Sequence, residues 1–400
     1  MPLNVAGSKV AGLKVAERGQ VDPFIVMEVV REANRRTVDG QDILHLEIGQ
    51  PSTPAPQAVR AAAKAALDRD VIGYTDALGL PALREAIARH YRDFYGVSVP
   101  ATRIIVTTGS SAGFLLAFLA SFDPGDQVAL ASPGYPCYRN ILHVLGIDPL
   151  LLPMAAATKF QPTAAILDHD LPTGELAAAI AGLIIASPSN PVGAVIDEPE
   201  QRRIATLCRA RGWRLIADEI YHGITYDSPA TTMAAIDDEA IIVNSFSKYF
   251  SMTGWRLGWL VVPESLVQPI ERLQQNLLIS PPTLSQHAAI AAFSAHEELQ
   301  ANLDRYRTNR AILLNELPAA GFDHLIATDG AFYVYADVSN LTDDSVDYAR
   351  RILAETGVAV TPGVDFDPAR GHHFLRFSFA GATADMQAAV KRLKDWRQRW

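Results

Sequence analysis

The chain has 400 residues, more than the ~250–300 at which a single hydrophobic core stops growing, so at least two structural units are expected. Apolar residues make up 49% of the chain and charged residues 20%, which is typical of a folded globular protein and not of a disordered or fibrous one. The net charge of −9 argues against nucleic acid or an anionic membrane as the main partner, because both require a basic surface.

The first twenty residues contain no apolar stretch of the kind found in a secretory signal. The best apolar run, residues 112–122, is too short for a membrane span, which needs ~20 residues, and is predicted to be a buried helix. Cys137 and Cys208 are the only cysteines and lie far apart in the sequence, so a reducing compartment is expected and a disulfide framework is not. A cytoplasmic location without membrane contact is the expectation.

Between residues 52 and 280, short β-type runs alternate with helical stretches. Several runs are apolar almost throughout, as expected of parallel strands that are covered on both faces. The alternation predicts an α/β fold with a mainly parallel sheet flanked by helices. The predicted strands are residues 103–107, 127–131, 149–152, 183–186, 214–217 and 241–244, and the clearest helices are residues 80–95 and 198–211.

After residue 284 the pattern changes to that of a smaller α+β unit. A helical region at 285–317 precedes strands at 332–338, 358–360 and 374–379, with a helix at 345–356. A cleft between the two units would be a common place for a ligand. The predicted division is an N-terminal arm and first part of the small domain (1–51), a large domain (52–284) and the rest of the small domain (285–400).

Small and polar residues follow the predicted strands, at the ends where ligands collect in α/β sheets. Ser110 and Ser111 open a helix directly after strand 103–107, and free N–H groups at a helix start favour an anion such as phosphate. Serine is also simply favoured at helix starts, so an ordinary cap is an equal alternative. The later strands are followed in turn by Tyr135, by Asn190, by Asp218 with Tyr221, and by Ser245 with Lys248 and Arg256.

Two of these positions are unusual for their residue type. Most lysines are solvated surface charges, but Lys248 follows a predicted buried strand, as no other lysine of the chain does. Asp218 closes an apolar strand, where a carboxylate is costly to bury unless it meets a cation or a hydrogen-bond donor. Both positions therefore favour a functional role.

Together these residues resemble the class I and II aminotransferases of fold-type I, the aspartate-aminotransferase-like family of pyridoxal-phosphate enzymes. The resemblance extends from about residue 23 to residue 379, and the order and spacing of the motifs match. The most specific motifs are residues 187–191 (SPSNP), 218–221 (DEIY), 245–248 (SFSK) and 375–378 (LRFS).

The resemblance implies a Schiff base between Lys248 and pyridoxal 5′-phosphate in the large domain. Asp218 would pair with the pyridine nitrogen, and Asn190 and Tyr221 would hydrogen-bond the phenolic oxygen of the ring. Tyr135 would stack on the ring face. Lys248, Asp218 and Tyr221 are the residues that the resemblance makes catalytic.

The resemblance also implies a phosphate site and a second subunit. Ser110, Ser111, Ser245 and Arg256 would hold the phosphate, and the planar guanidinium suits that ligand. Tyr74 would reach the phosphate in the neighbouring subunit, which implies a homodimer with shared active sites.

The substrate-binding residues that the resemblance implies are Gly49, Asn190 and Arg376. Arg376 would bind the α-carboxylate of the substrate in a bidentate manner, helped by the backbone of Gly49. The alternative for Arg376 is a structural ion pair, but its position inside an apolar strand favours a ligand, because an unpaired charge there is expensive. The implied activity is that of a transferase in amino-acid metabolism, which moves an amino group from an α-amino acid to a 2-oxo acid.

Other functions stay open at this point. A pyridoxal-phosphate lyase acting by β-elimination, or a decarboxylase, could use the same scaffold, and a cofactor-binding regulatory module is a further alternative. No metal site is expected, because the histidines at 45 and 372–373 have no partners that complete one. Residues 111–114 contain no lysine and residues 276–283 no arginine for a distal carboxylate, which favours a neutral or aromatic amino donor.

Overall fold

The computed structural model of the chain describes residues 14–169, 180–326 and 328–398. Helices cover both faces of a large sheet and also pack around a smaller one. Within the described ranges the α-helices are α1 (Ile25–Val38), α2 (Gln57–Arg69), α3 (Pro81–Tyr95), α4 (Gly109–Ser121), α5 (Pro136–Leu145), α6 (Ala164–His169), α7 (Glu198–Arg211), α8 (Glu264–Leu277), α9 (Thr283–Ile290), α10 (His296–Glu316), α11 (Ser345–Thr356) and α12 (Thr383–Arg397).

The large sheet has seven strands among the described residues, in the order β2-β8-β7-β6-β5-β3-β4. Every neighbouring pair is parallel except those made by β8, which runs antiparallel to both β2 and β7. Its strands are β2 (Ile104–Thr107), β3 (Gln127–Ser132), β4 (Asp148–Pro153), β5 (Ile180–Ala186), β6 (Arg214–Asp218), β7 (Ile241–Ser245) and β8 (Gly258–Val261). The predicted α/β fold is confirmed, and each of the six predicted strands is present.

Burial on both faces explains why several of these strands are apolar almost throughout. Successive side chains point to opposite faces of a sheet, so Ile104 and Val106 join one core cluster while Ile105 joins the other. Helices α3 and α7 supply the first cluster, and α4 and α8 supply the second. The sheet is therefore the middle of three layers.

The smaller unit combines residues from both ends of the chain. The two-residue strand β1 (Leu44–His45) pairs in parallel with β11 (Val358–Ala359). A four-stranded antiparallel sheet lies beside them, in the order β12-β13-β10-β9. Its strands are β9 (His324–Ile326), β10 (Tyr333–Asp337), β12 (Thr361–Pro362) and β13 (Phe374–Ser378).

The structure divides the helical region predicted at 285–317. Helix α9 ends at Ile290, a 3-10 turn covers Ala291–Ser294, and α10 follows. Ala288 and Ala289 of α9 belong to the same core cluster as Val59 of α2. The division into domains at residues 51/52 and 284/285 stays a prediction.

No helix in the described part of the chain has both the length and the apolar character needed to cross a bilayer.

Candidate active site

The carboxyl ends of the parallel strands open into a cavity of about 460 Å³. Side chains that follow β2, β3, β5, β6 and β7 meet there because those strands share one direction. The predicted site residues that line the cavity are Gly49, Ser110, Ser111, Tyr135, Asn190, Tyr221, Lys248, Arg256 and Arg376.

One part of the cavity is suited to an anion. Because β8 is antiparallel, its first residue, Gly258, lies opposite Thr107 and Ser245 at the carboxyl ends of β2 and β7. Arg256, two residues earlier, thereby reaches the start of α4, whose first turn has no side-chain cap. Unpaired N–H groups and a guanidinium together form a binding site for phosphate.

Gly109 makes this approach possible. It has a φ of +74°, and a Cβ at that position would lie 2.6 Å from Nη2 of Arg256. Any larger residue would therefore fill the space that the guanidinium uses, in a backbone conformation that L side chains rarely adopt. The cradle for an anion is built into the backbone.

Lys248 carries an amine whose pKa is depressed. Its Nζ donates a hydrogen bond to the carbonyl oxygen of Gly49 at 2.7 Å. Burial lowers the pKa of Lys248 from 10.5 to about 8, helped by the positive charges of Arg376 and Arg256 and opposed by Asp218. A substantial fraction of the amine is therefore neutral, and hence nucleophilic, near pH 8.

Asp218 lies behind the residues that line the cavity and is only 3% exposed. Its carboxylate accepts hydrogen bonds from the Tyr138 hydroxyl and, at 3.0 Å, from the backbone N–H of Ile220. Burial raises the pKa of Asp218 to about 6, and the hydrogen bonds and the charge of Lys248 oppose that rise. A cation at this position would stabilise the charged form.

Arg376 is fixed between two aromatic rings. Its guanidinium carbon lies 4.3 Å from the ring centroid of Tyr333 and 4.7 Å from that of Phe366. Nη1 donates to Oδ1 of Asn190 at 2.9 Å, and Nη2 donates to the carbonyl oxygen of Glu47 at 2.6 Å. Within the described residues its buried Nε has no hydrogen-bond partner. Arg376 also lines the cavity, and at least the Nε–H of its five donors is not used by the described residues.

Tyr333 is a site residue that the sequence did not reveal. Its hydroxyl lies 2.7 Å from that of Tyr221, and a Cβ at Gly49 would overlap it. The approach of Tyr333 thus explains why residue 49 is a glycine. A tyrosine within an apolar strand carries no local signal of this role.

The first turn of α1 also faces the cavity, through Phe24, Val26 and Met27. No helix is predicted here from the sequence, where residues 1–51 are expected to form an N-terminal arm and the first part of the small domain. Ile48 and Ile220 extend the same apolar lining. These residues add apolar lining to a cavity that also contains the charged groups.

Besides Asp218, two further predicted site residues do not line the cavity. The hydroxyl of Ser245 is buried, where it bonds to Oγ of Ser247 at 2.9 Å and to the carbonyl oxygen of Leu257 at 3.2 Å. Ser247 lines the cavity instead. Tyr74 is 86% exposed and lies outside the cavity. The phosphate-binding roles of Ser245 and Tyr74 stay predictions.

Two of the three histidines considered as metal ligands, His45 and His373, each pair with one carboxylate. Nδ1 of His45 lies 2.8 Å from Oε1 of Glu47, and Nε2 of His373 lies 3.3 Å from Oδ1 of Asp343. Across the described ranges, no three His, Cys, Asp or Glu side chains come together in a group that could hold a metal ion.

Solved structures that share this fold are aminotransferases of fold-type I. An aminotransferase from Mycobacterium tuberculosis matches with a TM-score of 0.93 and 49% identity, over 97% of this chain and 100% of that chain. Aspartate aminotransferase from Thermus thermophilus with maleate matches with a TM-score of 0.88 and 30% identity, over 96% of this chain and 99% of that chain. The fold is therefore that of the fold-type I aminotransferases.

Sequence comparison gives the family. The model of the family described as Aminotransferase class I and II matches residues 41–393. Valine–pyruvate aminotransferase of Mycobacterium tuberculosis is 50% identical over 387 residues, which are 96% of this chain and 98% of that protein. The chain belongs to the class I and II aminotransferase family, whose members use pyridoxal 5′-phosphate, and it is an aminotransferase. The predicted resemblance and activity are confirmed, and no comparison favours the lyase.

Proposed function

We propose that the protein binds pyridoxal 5′-phosphate through Lys248 and transfers the amino group of a neutral aliphatic amino acid, such as valine, to a 2-oxo acid, such as pyruvate. The observation that carries this proposal is the convergence of three groups at one sheet edge. An amine of depressed pKa, a buried carboxylate and an uncapped helix start border the same cavity or lie directly behind its wall.

The residues present fit the cofactor. The phosphate would be held by Arg256 and the first turn of α4, next to the space that Gly109 leaves open. Asp218, buried without a cationic hydrogen-bond partner among the described residues, would pair with the protonated ring nitrogen. When bound, the cofactor supplies an electron-accepting ring for the electron pair left on the substrate Cα.

Side chains of the protein would transfer the proton and orient the substrate. The Lys248 amine would act as the general base and acid that removes the proton at the substrate Cα and returns a proton in the reverse direction. Arg376 would orient the substrate through its carboxylate, with Asn190 and Tyr333 holding the guanidinium in place. Tyr221 lines the cavity with its hydroxyl bonded to that of Tyr333, so both hydroxyls are positioned before the substrate arrives.

The lining of the cavity favours a small apolar side chain on the amino donor. Lys248, Arg256 and Arg376 are the cations among the described lining residues, and each has a role that leaves no cation for a distal carboxylate. Phe24, Val26, Met27, Ile48 and Ile220 supply apolar surface. The name of the relative that is 50% identical, valine–pyruvate aminotransferase, agrees with this choice.

A half-reaction tests the choice of donor. Holoenzyme is mixed with valine or with aspartate, without any 2-oxo acid, and conversion of the cofactor is followed by its absorbance. Valine is expected to react at least tenfold more efficiently, because aspartate would bury a carboxylate without a partner. Equal or faster reaction with aspartate would contradict the proposed substrate.

We also propose that the enzyme is a cytoplasmic homodimer. The exposed large apolar residues include Leu67, Val71, Ile72 and Tyr74 in one segment and Leu277 and Ile279 in another. The two segments adjoin each other, since the N–H of Thr75 donates to Oγ of Ser280 at 3.4 Å. A contiguous apolar patch is typical of an interface between subunits, and it includes Tyr74, which the resemblance assigns to the neighbouring subunit's site.

Arg376→Gln is expected to raise KM for valine by at least ~30-fold, the effect of losing ~2 kcal/mol of a buried charge pair, while cofactor binding persists. The matched control is Arg310→Gln. Arg310 also contacts an aromatic ring and a backbone carbonyl, but it lies outside the cavity. Steady-state kinetics of both variants with valine and pyruvate decide the matter. An unchanged KM in Arg376→Gln would remove Arg376 from substrate binding.

A further inference from the structure

The first turn of α1 is anchored by a carboxylate from the far end of the chain. Phe24, the residue before the helix, makes no side-chain cap. Instead, the N–H groups of Ile25 and Val26 donate to the two carboxylate oxygens of Asp365, at 3.3 and 3.0 Å. Asp365 is 1% exposed, so the contact is sheltered from water. A carboxylate in this position satisfies unpaired N–H groups and interacts favourably with the helix dipole.

The anchored turn forms part of the apolar lining of the cavity. Phe24, Val26 and Met27 line the cavity beside Gly49, Tyr135 and Arg376. The ring of Phe24 meets that of Tyr135 edge-on, with 6.0 Å between the centroids. The position of the turn therefore affects how much room remains in the cavity.

The residues around Asp365 also touch the groups that would bind the cofactor and the substrate carboxylate. Thr361 pairs with Arg376 across the small sheet, and the ring of Phe366 lies against the same guanidinium. The carbonyl oxygen of Phe366 accepts a hydrogen bond at 3.0 Å from the N–H of Gly134, the neighbour of Tyr135. Residues 361–366 thus connect the carboxylate-binding arginine with the apolar wall.

We infer that Asp365 is a positioning residue that determines amino-donor specificity, by holding the first turn of α1 at a fixed distance from Arg376. The inference rests on the proposed function, because it requires Arg376 to bind the α-carboxylate. A donor held at Arg376 presents its side chain to the α1 wall. A branched side chain such as that of valine reaches farther toward this wall than the methyl group of alanine. Displacement of the turn therefore weakens the binding of valine more than the binding of alanine.

The test compares Asp365→Ala with Asp344→Ala. Asp344 is the matched control, because its carboxylate also accepts two backbone N–H bonds at a helix start, from Val346 and Asp347 at 3.0 and 3.1 Å. It lies outside the cavity. Each holoenzyme is reacted separately with valine and with alanine in the first half-reaction. Asp365→Ala is expected to lose at least ~10-fold in kcat/KM for valine, mainly through KM, and less than threefold for alanine. The control is expected to change neither.

A second measurement reports the contact without any turnover. Amide hydrogen exchange of a peptide covering residues 24–28 is expected to accelerate in Asp365→Ala and to stay slow in Asp344→Ala. Asp365→Asn retains one acceptor oxygen and supplies the same comparison if the alanine variant does not fold. Equal losses for both donors, or unchanged exchange, would overturn the inference.

The two hypotheses fail in different ways. A wild-type enzyme that reacts with alanine and not with valine would refute the proposed donor. In that case, amide hydrogen exchange at Ile25 and Val26 would still test the contact with Asp365. Fast exchange of these two amides in the wild-type enzyme would contradict that contact.

Discussion

Replacing Lys248 by alanine is expected to abolish both the visible absorbance of bound pyridoxal 5′-phosphate and amino transfer. The amine would provide the covalent link to the cofactor and the proton transfer at Cα. Loss of general acid–base catalysis alone costs about 10²–10⁴-fold in rate. Absorbance of the purified variant after incubation with the cofactor, and turnover with valine and pyruvate, measure the two effects.

Lys391→Ala is the control for this variant, since Lys391 lies exposed on the terminal helix α12. It is expected to keep colour and activity. A coloured, active Lys248→Ala variant would contradict the assignment of Lys248 as the residue that binds the cofactor covalently.

The surroundings of Lys248 also predict how the rate of cofactor uptake depends on pH. Because its pKa is lowered to about 8, the rate of cofactor uptake by the apoprotein is expected to rise with pH through about 8 and then level off. An ordinary lysine would still gain reactivity toward pH 10.

The strands that present these groups could be predicted because they are buried on both faces. Residues 214–217 and 241–244 are mostly apolar runs, and the structure places β6 and β7 there, each one residue longer. Helix α7 was predicted with its observed bounds, because the signals at its ends are local. Asp197 caps its first turn, and Gly212 follows its last residue in the left-handed conformation. Helix ends that are set by neighbouring residues in this way can be predicted from the sequence.

Other parts of the site depend on contacts between distant residues. Strand β8 is four residues long and begins with a glycine, which is a poor strand former, so no periodic signal marks it. Its antiparallel direction nevertheless brings Arg256 to the phosphate site. Helix α1 receives its cap from Asp365, more than three hundred residues away in the chain. Tyr333 can reach its position only because residue 49, on a separate segment of the chain, is a glycine. These roles follow from the packing of distant segments and could not be predicted from local pattern.

Asp218→Asn is expected to bind the cofactor more weakly than the wild type at neutral pH, yet to be coloured when saturated with it, while kcat falls by about 10²–10³-fold, the loss typical of removing one preorganised electrostatic contact. The amide has nearly the shape of the carboxylate and can still accept the hydrogen bond of the Tyr138 hydroxyl. It carries no charge, however, and cannot keep a proton on the ring nitrogen. Single-turnover rates with valine, set beside cofactor affinity, separate the two effects.

Asp237→Asn is the matched control, since Asp237 is a buried aspartate that bonds to Arg209 and to the N–H of Glu239, away from the cavity. Its kcat is expected to stay within threefold of the wild type.

The pH dependence of cofactor affinity provides an independent test of the role of Asp218. The pKa of Asp218 is raised to about 6 because burial disfavours its charge, so the carboxylate becomes protonated as the pH falls through 6. A protonated carboxyl cannot pair with a cationic ring nitrogen. Cofactor affinity of the wild type is therefore expected to weaken below about pH 6, whereas the Asp218→Asn variant, which has no group titrating at that position, is expected to lack this step.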